Sequence, residues 1–150
     1  MALLSREDAD FLRKHFEAHL VDDVTIDYFT QRESKLVIPG IECMFCKETR
    51  QLLEEVADLS PKITVNIHDF VTEEEAAKAA SIDRIPAFTL KGKAKGAVRY
   101  FGIPSGYEFS SLIEDLVDVS TGKTDLSQQT LDALAGLKEA VHIQVFVTPT

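Results

Sequence analysis

Apolar positions along the chain follow two rhythms, one helical and one alternating. Phe11, Leu12, Phe16 and Leu20 keep one side of a helix that Ser5-x-x-Asp8 opens as a capping-box variant. "VTIDYF" (24–29) then turns to β-branched and aromatic residues and reads as a strand. "SKLVIPG" (34–40) is short and apolar and reads as a second strand, buried on both faces and ended by Pro39 and Gly40. From Cys43 the helical period returns, with Leu52, Leu53, Val56 and Leu59 on one face and Pro61 beyond its end.

"ITVNIHDF" (63–70) alternates again and predicts a strand. Thr72-x-x-Glu75 is a capping box before the short helix "EEEAAKAA". "RIPAFTL" (84–90) is strand-like although Pro86 sits inside it, and a Lys/Gly turn joins it to the strand "GAVRYFG" (96–102). Phe109, Leu112, Ile113, Leu116 and Val117 make an amphipathic helix ending near Gly122. Leu126, Leu131, Leu134 and Leu137 predict one more helix, and "VHIQVFV" (141–147) a last strand. The order α-β-β-α-β-α-β-β-α, then α-β, predicts an α/β fold: a mixed β-sheet flanked by helices on both faces.

Composition narrows the function. With 150 residues, 45% of them hydrophobic, the chain can bury the core of one domain or slightly more. Its net charge of −9 and pI of about 4.9 argue against nucleic acid and against an anionic membrane surface as partners. No run approaches the ~20 apolar residues of a membrane span, and "MALLSREDAD" lacks the pattern of a signal peptide, so a cytoplasmic location is expected.

Both cysteines lie in "IECMFCKETR" (41–50), as Cys43 and Cys46. Two are too few for a disulfide scaffold, and in a reducing compartment such a pair is catalytic or metal-binding more often than structural. A cysteine in the first turn of a helix sees the positive end of the dipole and free N–H groups, which favour thiolate over thiol. Cys43 is expected there as the nucleophile, and Cys46, one turn on and more buried, as the resolving partner. Glu42 and Lys47 bias the Cys43 thiol in opposite directions. Pro86 is the second candidate: a proline within a strand stands at an edge, at a bulge or in a cis bond. A cis Ile85–Pro86 bond would leave backbone groups there to bind an extended peptide.

"CMFC" at a helix start, "RIPA" about forty residues on, "RYFGIPSGYEFSSLIEDLVDVSTG" and "VHIQVFVTPT" together resemble the protein disulfide oxidoreductase family, glutaredoxin-like proteins with two tandem thioredoxin-fold units. The resemblance implies a thioredoxin-like N-terminal unit over 1–122, a connecting helix at 123–139 and the first strand of a second, truncated unit at 140–150. It implies thiol–disulfide exchange with protein disulfides, Cys43 attacking, Cys46 resolving, and Ile85 and cis Pro86 contacting the substrate. No bound cofactor is implied beyond the redox-active Cys43–Cys46 disulfide. Electrons would come from a flavoprotein reductase of the thioredoxin-reductase kind. The pattern also departs from the family: Met44-Phe45 separates the cysteines, and no tryptophan precedes them.

Three other readings stand beside this one. A thioredoxin-fold unit can be a non-catalytic scaffold for a partner unit. His15 and His19, spaced i, i+4, would complete a Cys2His2 zinc set with Cys43 and Cys46. The N-terminal domain of an alkyl hydroperoxide reductase flavoprotein also has tandem thioredoxin folds, but its functional pair lies in the second unit, so a C-x-x-C in the first argues against it. Finally, the strand at 141–147 offers a route to self-association by pairing with a sheet edge.

Overall fold

The structure, a computed structural model, describes residues 2–31 and 43–146. Helix α1 (Arg6–His19) starts as the sequence predicts: the Ser5 hydroxyl accepts the Asp8 N–H at 3.1 Å, and Glu7 and Asp8 sit at the positive end of the helix. Strand β1 (Val24–Thr30) follows, then α2 (Cys46–Ala57), β2 (Ile63–Asp69), α3 (Glu74–Ala79), β3 (Ala87–Lys91), β4 (Val98–Phe101), α4 (Tyr107–Thr121) and α5 (Gln128–Ala135). The strand expected at 34–40, and Glu42, lie outside the described residues.

The four strands form one mixed sheet in the order β2-β1-β3-β4. β1 pairs with β2 in parallel, from Val24 opposite Ile63 to Thr30 opposite Asp69. β3 runs antiparallel to β1, with Phe29 opposite Ala87, and β4 antiparallel to β3, with Ala87 opposite Phe101. Alternation along β1 separates two cores. Val24, Ile26 and Tyr28 join Phe88 and Leu90 against Leu12 and Phe16 of α1, Leu53 and Val56 of α2, and Leu112, Leu116 and Val119 of α4. Phe29 and Ala87 point the other way and pack with Ala77 and Ile82 around α3. Burying a side chain such as leucine or phenylalanine contributes about 1.5–3 kcal/mol. Helices therefore flank both faces of a mixed sheet, as expected.

Four local expectations are corrected. α2 begins at Cys46 rather than Cys43, with Phe45 as its N-cap. Thr72 does not cap α3: Asp69 Oδ1 accepts from the N–H groups of Val71 and Thr72 and from the Thr72 hydroxyl, so the turn is organised one step earlier. Phe11 is 67% exposed instead of packed. Residues 141–146 form no strand, and Val141, Ile143, Val145 and Phe146 are exposed. A strand needs a neighbour to satisfy its ladder of N–H and C=O groups, and the described residues supply none there.

Candidate functional site

The two cysteines meet where β1 hands over to α2. Cys43 and Cys46 are joined by a disulfide with their Cα atoms 5.4 Å apart. Cys46, in the first turn of α2, is 6% exposed, while Cys43 is only half-buried. The Cys46 N–H approaches the Cys43 carbonyl at 3.5 Å, so a single turn carries the chain from one to the other. Cys43 thus stands just ahead of the helix N-terminus, still facing its positive end.

Both cysteines are tied to β1. The Gln31 side-chain carbonyl accepts the Cys43 N–H at 2.9 Å. The phenol of Tyr28, fully buried, donates to the Cys46 carbonyl at 2.6 Å. Burial holds that phenol above its ordinary pKa of 10.0, so it remains a donor at all ordinary pH.

Ile85–Pro86 is a cis peptide. Pro86 is buried immediately before β3, and the β1–β3 register sets it next to Thr30, one residue before Gln31. Its carbonyl accepts the Gly102 N–H at 2.8 Å. Cys43, Cys46, Ile85 and Pro86 therefore gather at one end of the sheet. Exposed apolar side chains accumulate at that end: Met44 and Phe45 between the cysteines, Phe101 at the end of β4, and Tyr107 at the start of α4. Phe101 is 40% exposed and carries the Arg84 guanidinium 4.7 Å above its ring.

Sequence reasoning passed over one buried charge. Asp27, 8% exposed, points to the α3 side of the sheet. Its carboxylate takes Lys91 Nζ at 2.7 Å and Asn66 Nδ2 at 2.9 Å, with His68 Nε2 at 3.4 Å. Burial pushes the carboxyl up, but the hydrogen bonds from Lys91 and Asn66, the lysine charge and His68 together hold it below its usual 3.8. His68 stacks on Phe29 and reaches Glu73 through Nδ1 at 2.7 Å. The alternation of β1 marks Asp27 as a polar residue between buried neighbours, which is the signal that could have found it.

His15 and His19 are not brought to the cysteines. They lie on α1, toward the end of the molecule where β1 begins, whereas the dithiol follows the end of β1. A seven-residue strand, roughly 20 Å long, separates the two ends. The Cys2His2 set is therefore not assembled among the described residues, and the cysteines are engaged with each other.

Three-dimensional comparison places the architecture. A protein disulfide oxidoreductase from Aeropyrum pernix superposes with a TM-score of 0.74 at 23% identity, over 92% of this chain and 57% of that one. The NTD_N/C domain of the alkyl hydroperoxide reductase AhpF from Enterococcus faecalis gives 0.73 at 23% identity, over 91% and 62%. The chain is a thioredoxin-like α/β unit. In sequence the unit is similar to AhpF of Staphylococcus epidermidis, 32% identical over 105 residues, and to AhpF of Staphylococcus aureus, 29% identical over 106. Each match takes in 69% of this chain but 18% of the relative, so the chain spans under a fifth of their length. No protein-family model matches it.

The thioredoxin-like unit resembles the disulfide oxidoreductases, as its motifs suggest, and equally the hydroperoxide reductase that its C-x-x-C argued against. Among the described residues no helix is long and apolar enough to cross a membrane.

Proposed function

We propose that this unit is a thiol–disulfide oxidoreductase whose Cys43–Cys46 pair exchanges with protein disulfides. The observation that carries the reading is the asymmetry of the pair. One cysteine is half-buried ahead of a helix N-terminus, and the other is buried behind it. In the reducing direction the Cys43 thiolate attacks a substrate disulfide. A mixed disulfide forms and one substrate sulfur leaves as thiolate. The Cys46 thiolate then attacks the Cys43 sulfur, the second substrate sulfur leaves, and the pair is oxidised as the substrate gains two electrons. The opposite direction runs the same steps backward.

Ile85 and Pro86, at the same sheet end, are the residues we assign to holding the substrate chain, with Met44, Phe45 and Phe101 as an apolar rim. A dithiol or flavoprotein reductase of the thioredoxin-reductase kind would return the electrons, in the cytoplasm, where thiols are kept reduced. The likeness to AhpF favours a second, narrower reading: the pair relays electrons within an alkyl hydroperoxide reductase assembly.

A glutathione redox titration with thiol trapping and mass readout tests the exchange. A midpoint between about −180 and −280 mV, with insulin reduction abolished by Cys43→Ser, supports it. A midpoint below about −300 mV marks a structural staple and a scaffold unit.

A further inference from the structure

The packing behind the dithiol leaves a hydroxyl over. Thr49, on α2, is fully buried, and its Oγ1 has no hydrogen-bond partner among the described residues. The Tyr28 phenol stands beside it but donates its own proton to the Cys46 carbonyl at 2.6 Å. The Thr49 N–H keeps its helical bond to the Phe45 carbonyl at 2.9 Å. A buried donor left unpaired is costly and rare, and a redox or catalytic role is among the recognised causes. Thr49 stands three residues after Cys46, so the two side chains share a face of the helix. A helical side chain leans back over the preceding turn, and here that turn carries Cys46, only 6% exposed.

We propose that Thr49 is a positioning residue for the resolving cysteine: when the Cys43–Cys46 bond is reduced, the Thr49 hydroxyl donates to the Cys46 sulfur. This role rests on the exchange proposed above and follows from what each form of the sulfur can accept. In the disulfide the Cys46 sulfur is bonded to Cys43 and is a weak acceptor. Two electrons break that bond, and the Cys46 thiolate is a far stronger acceptor, because hydrogen bonds to charged groups exceed those to neutral ones. In the resolving step that thiolate attacks the Cys43 sulfur of the mixed disulfide, and the substrate sulfur leaves as thiolate. Thr49 keeps its proton throughout and loses only its acceptor. The hydroxyl is therefore paired in the dithiol form and orphaned in the disulfide form. That difference favours the reduced pair and makes it the stronger oxidant.

The test is a glutathione redox titration of the full chain and its variants. Thr49→Val keeps the shape and removes the hydroxyl. It should shift the equilibrium toward the disulfide about fivefold to tenfold, a midpoint about 20–30 mV more negative. Thr49→Ser should restore the midpoint of the unaltered protein. Thr89 on β3 is the control: its Oγ1 is also buried without a partner, so Thr89→Val should leave the midpoint unchanged. Urea unfolding closes the cycle. Thr49→Val should be at least as stable as the unaltered protein when oxidised and less stable when reduced. A midpoint unmoved by Thr49→Val, moved as far by Thr89→Val, or not restored by Thr49→Ser overturns the proposal. So does a Thr49→Val loss of stability equal in both redox forms, which marks packing alone. Failure of the unaltered protein to reduce insulin would instead overturn the exchange reading, and the midpoint comparison would still decide the role of Thr49.

Discussion

The Tyr28 hydroxyl donates to the Cys46 carbonyl at 2.6 Å, fastening the first turn of α2 to an inner strand of the sheet. Tyr28→Phe keeps the ring and removes the donor, leaving a buried carbonyl without that partner. A loss of about 1–2 kcal/mol is expected in urea unfolding of the oxidised protein. A change within a few tenths of a kcal/mol would mean that water or the neighbouring Thr49 hydroxyl replaces the phenol.

Gln31 clasps the other cysteine. Gln31→Ala should release the Cys43 N–H to solvent while leaving the core untouched. Hydrogen exchange at the Cys43 amide is expected to accelerate about tenfold or more, with global stability changing by no more than about 1 kcal/mol. Unchanged exchange at that amide would show that the clasp does not hold in solution.

The Asp27–Lys91 contact makes stability depend on acid. A carboxyl whose pKa is lowered by folding contributes stability that is present above its unfolded value, near 3.8, and lost as pH falls through its lower folded value. Lys91→Met should weaken the protein by about 1–2 kcal/mol at neutral pH, a figure kept modest because Lys91 is 56% exposed. The difference between the two proteins should shrink as pH falls below 3.8, through the lowered folded value that Asp27 has in the unaltered protein. Urea midpoints measured across that range check both the size and the sign.

Ser120 anchors the α1–β1 connection to α4. Its fully buried hydroxyl accepts from the N–H groups of Val21 and Asp22 at 2.9 and 3.0 Å and donates to the Asp22 carbonyl at 2.6 Å. Ser120→Ala should cost about 2–3 kcal/mol, more than one ordinary hydrogen bond, because three backbone groups lose their partner together. Thermal unfolding compared with Ser111→Ala, an exposed serine on the same helix, separates this effect from helix propensity.

Much of the architecture was legible because it rests on local rhythm. β1, β2 and β3, the apolar faces of α2 and α4, the Ser5 cap and the Gly122 stop in left-handed conformation all follow from nearby residues. The β3–β4 hairpin and the burial order of Cys43 and Cys46 follow from the same reading. What escaped depends on distant residues. Asp27 meets Lys91 across 64 positions and His68 across 41, and no window of sequence holds both. The alternation of 141–147 promised a strand, but alternation fixes only which side chains share a face. Whether a strand forms depends on a neighbouring edge. The Cys2His2 reading failed for the same reason: the i, i+4 spacing of His15 and His19 is local, whereas their distance from Cys43 is set by the length of β1.

The bond from Gln31 to Cys43 joins two residues 12 positions apart, so the chain meets itself there before α2 begins. The dithiol takes its bearings from β1 on one side and α2 on the other: Gln31 holds the Cys43 backbone and Tyr28 the Cys46 backbone. The pair is therefore mounted on the frame, like a fitting bolted to two beams.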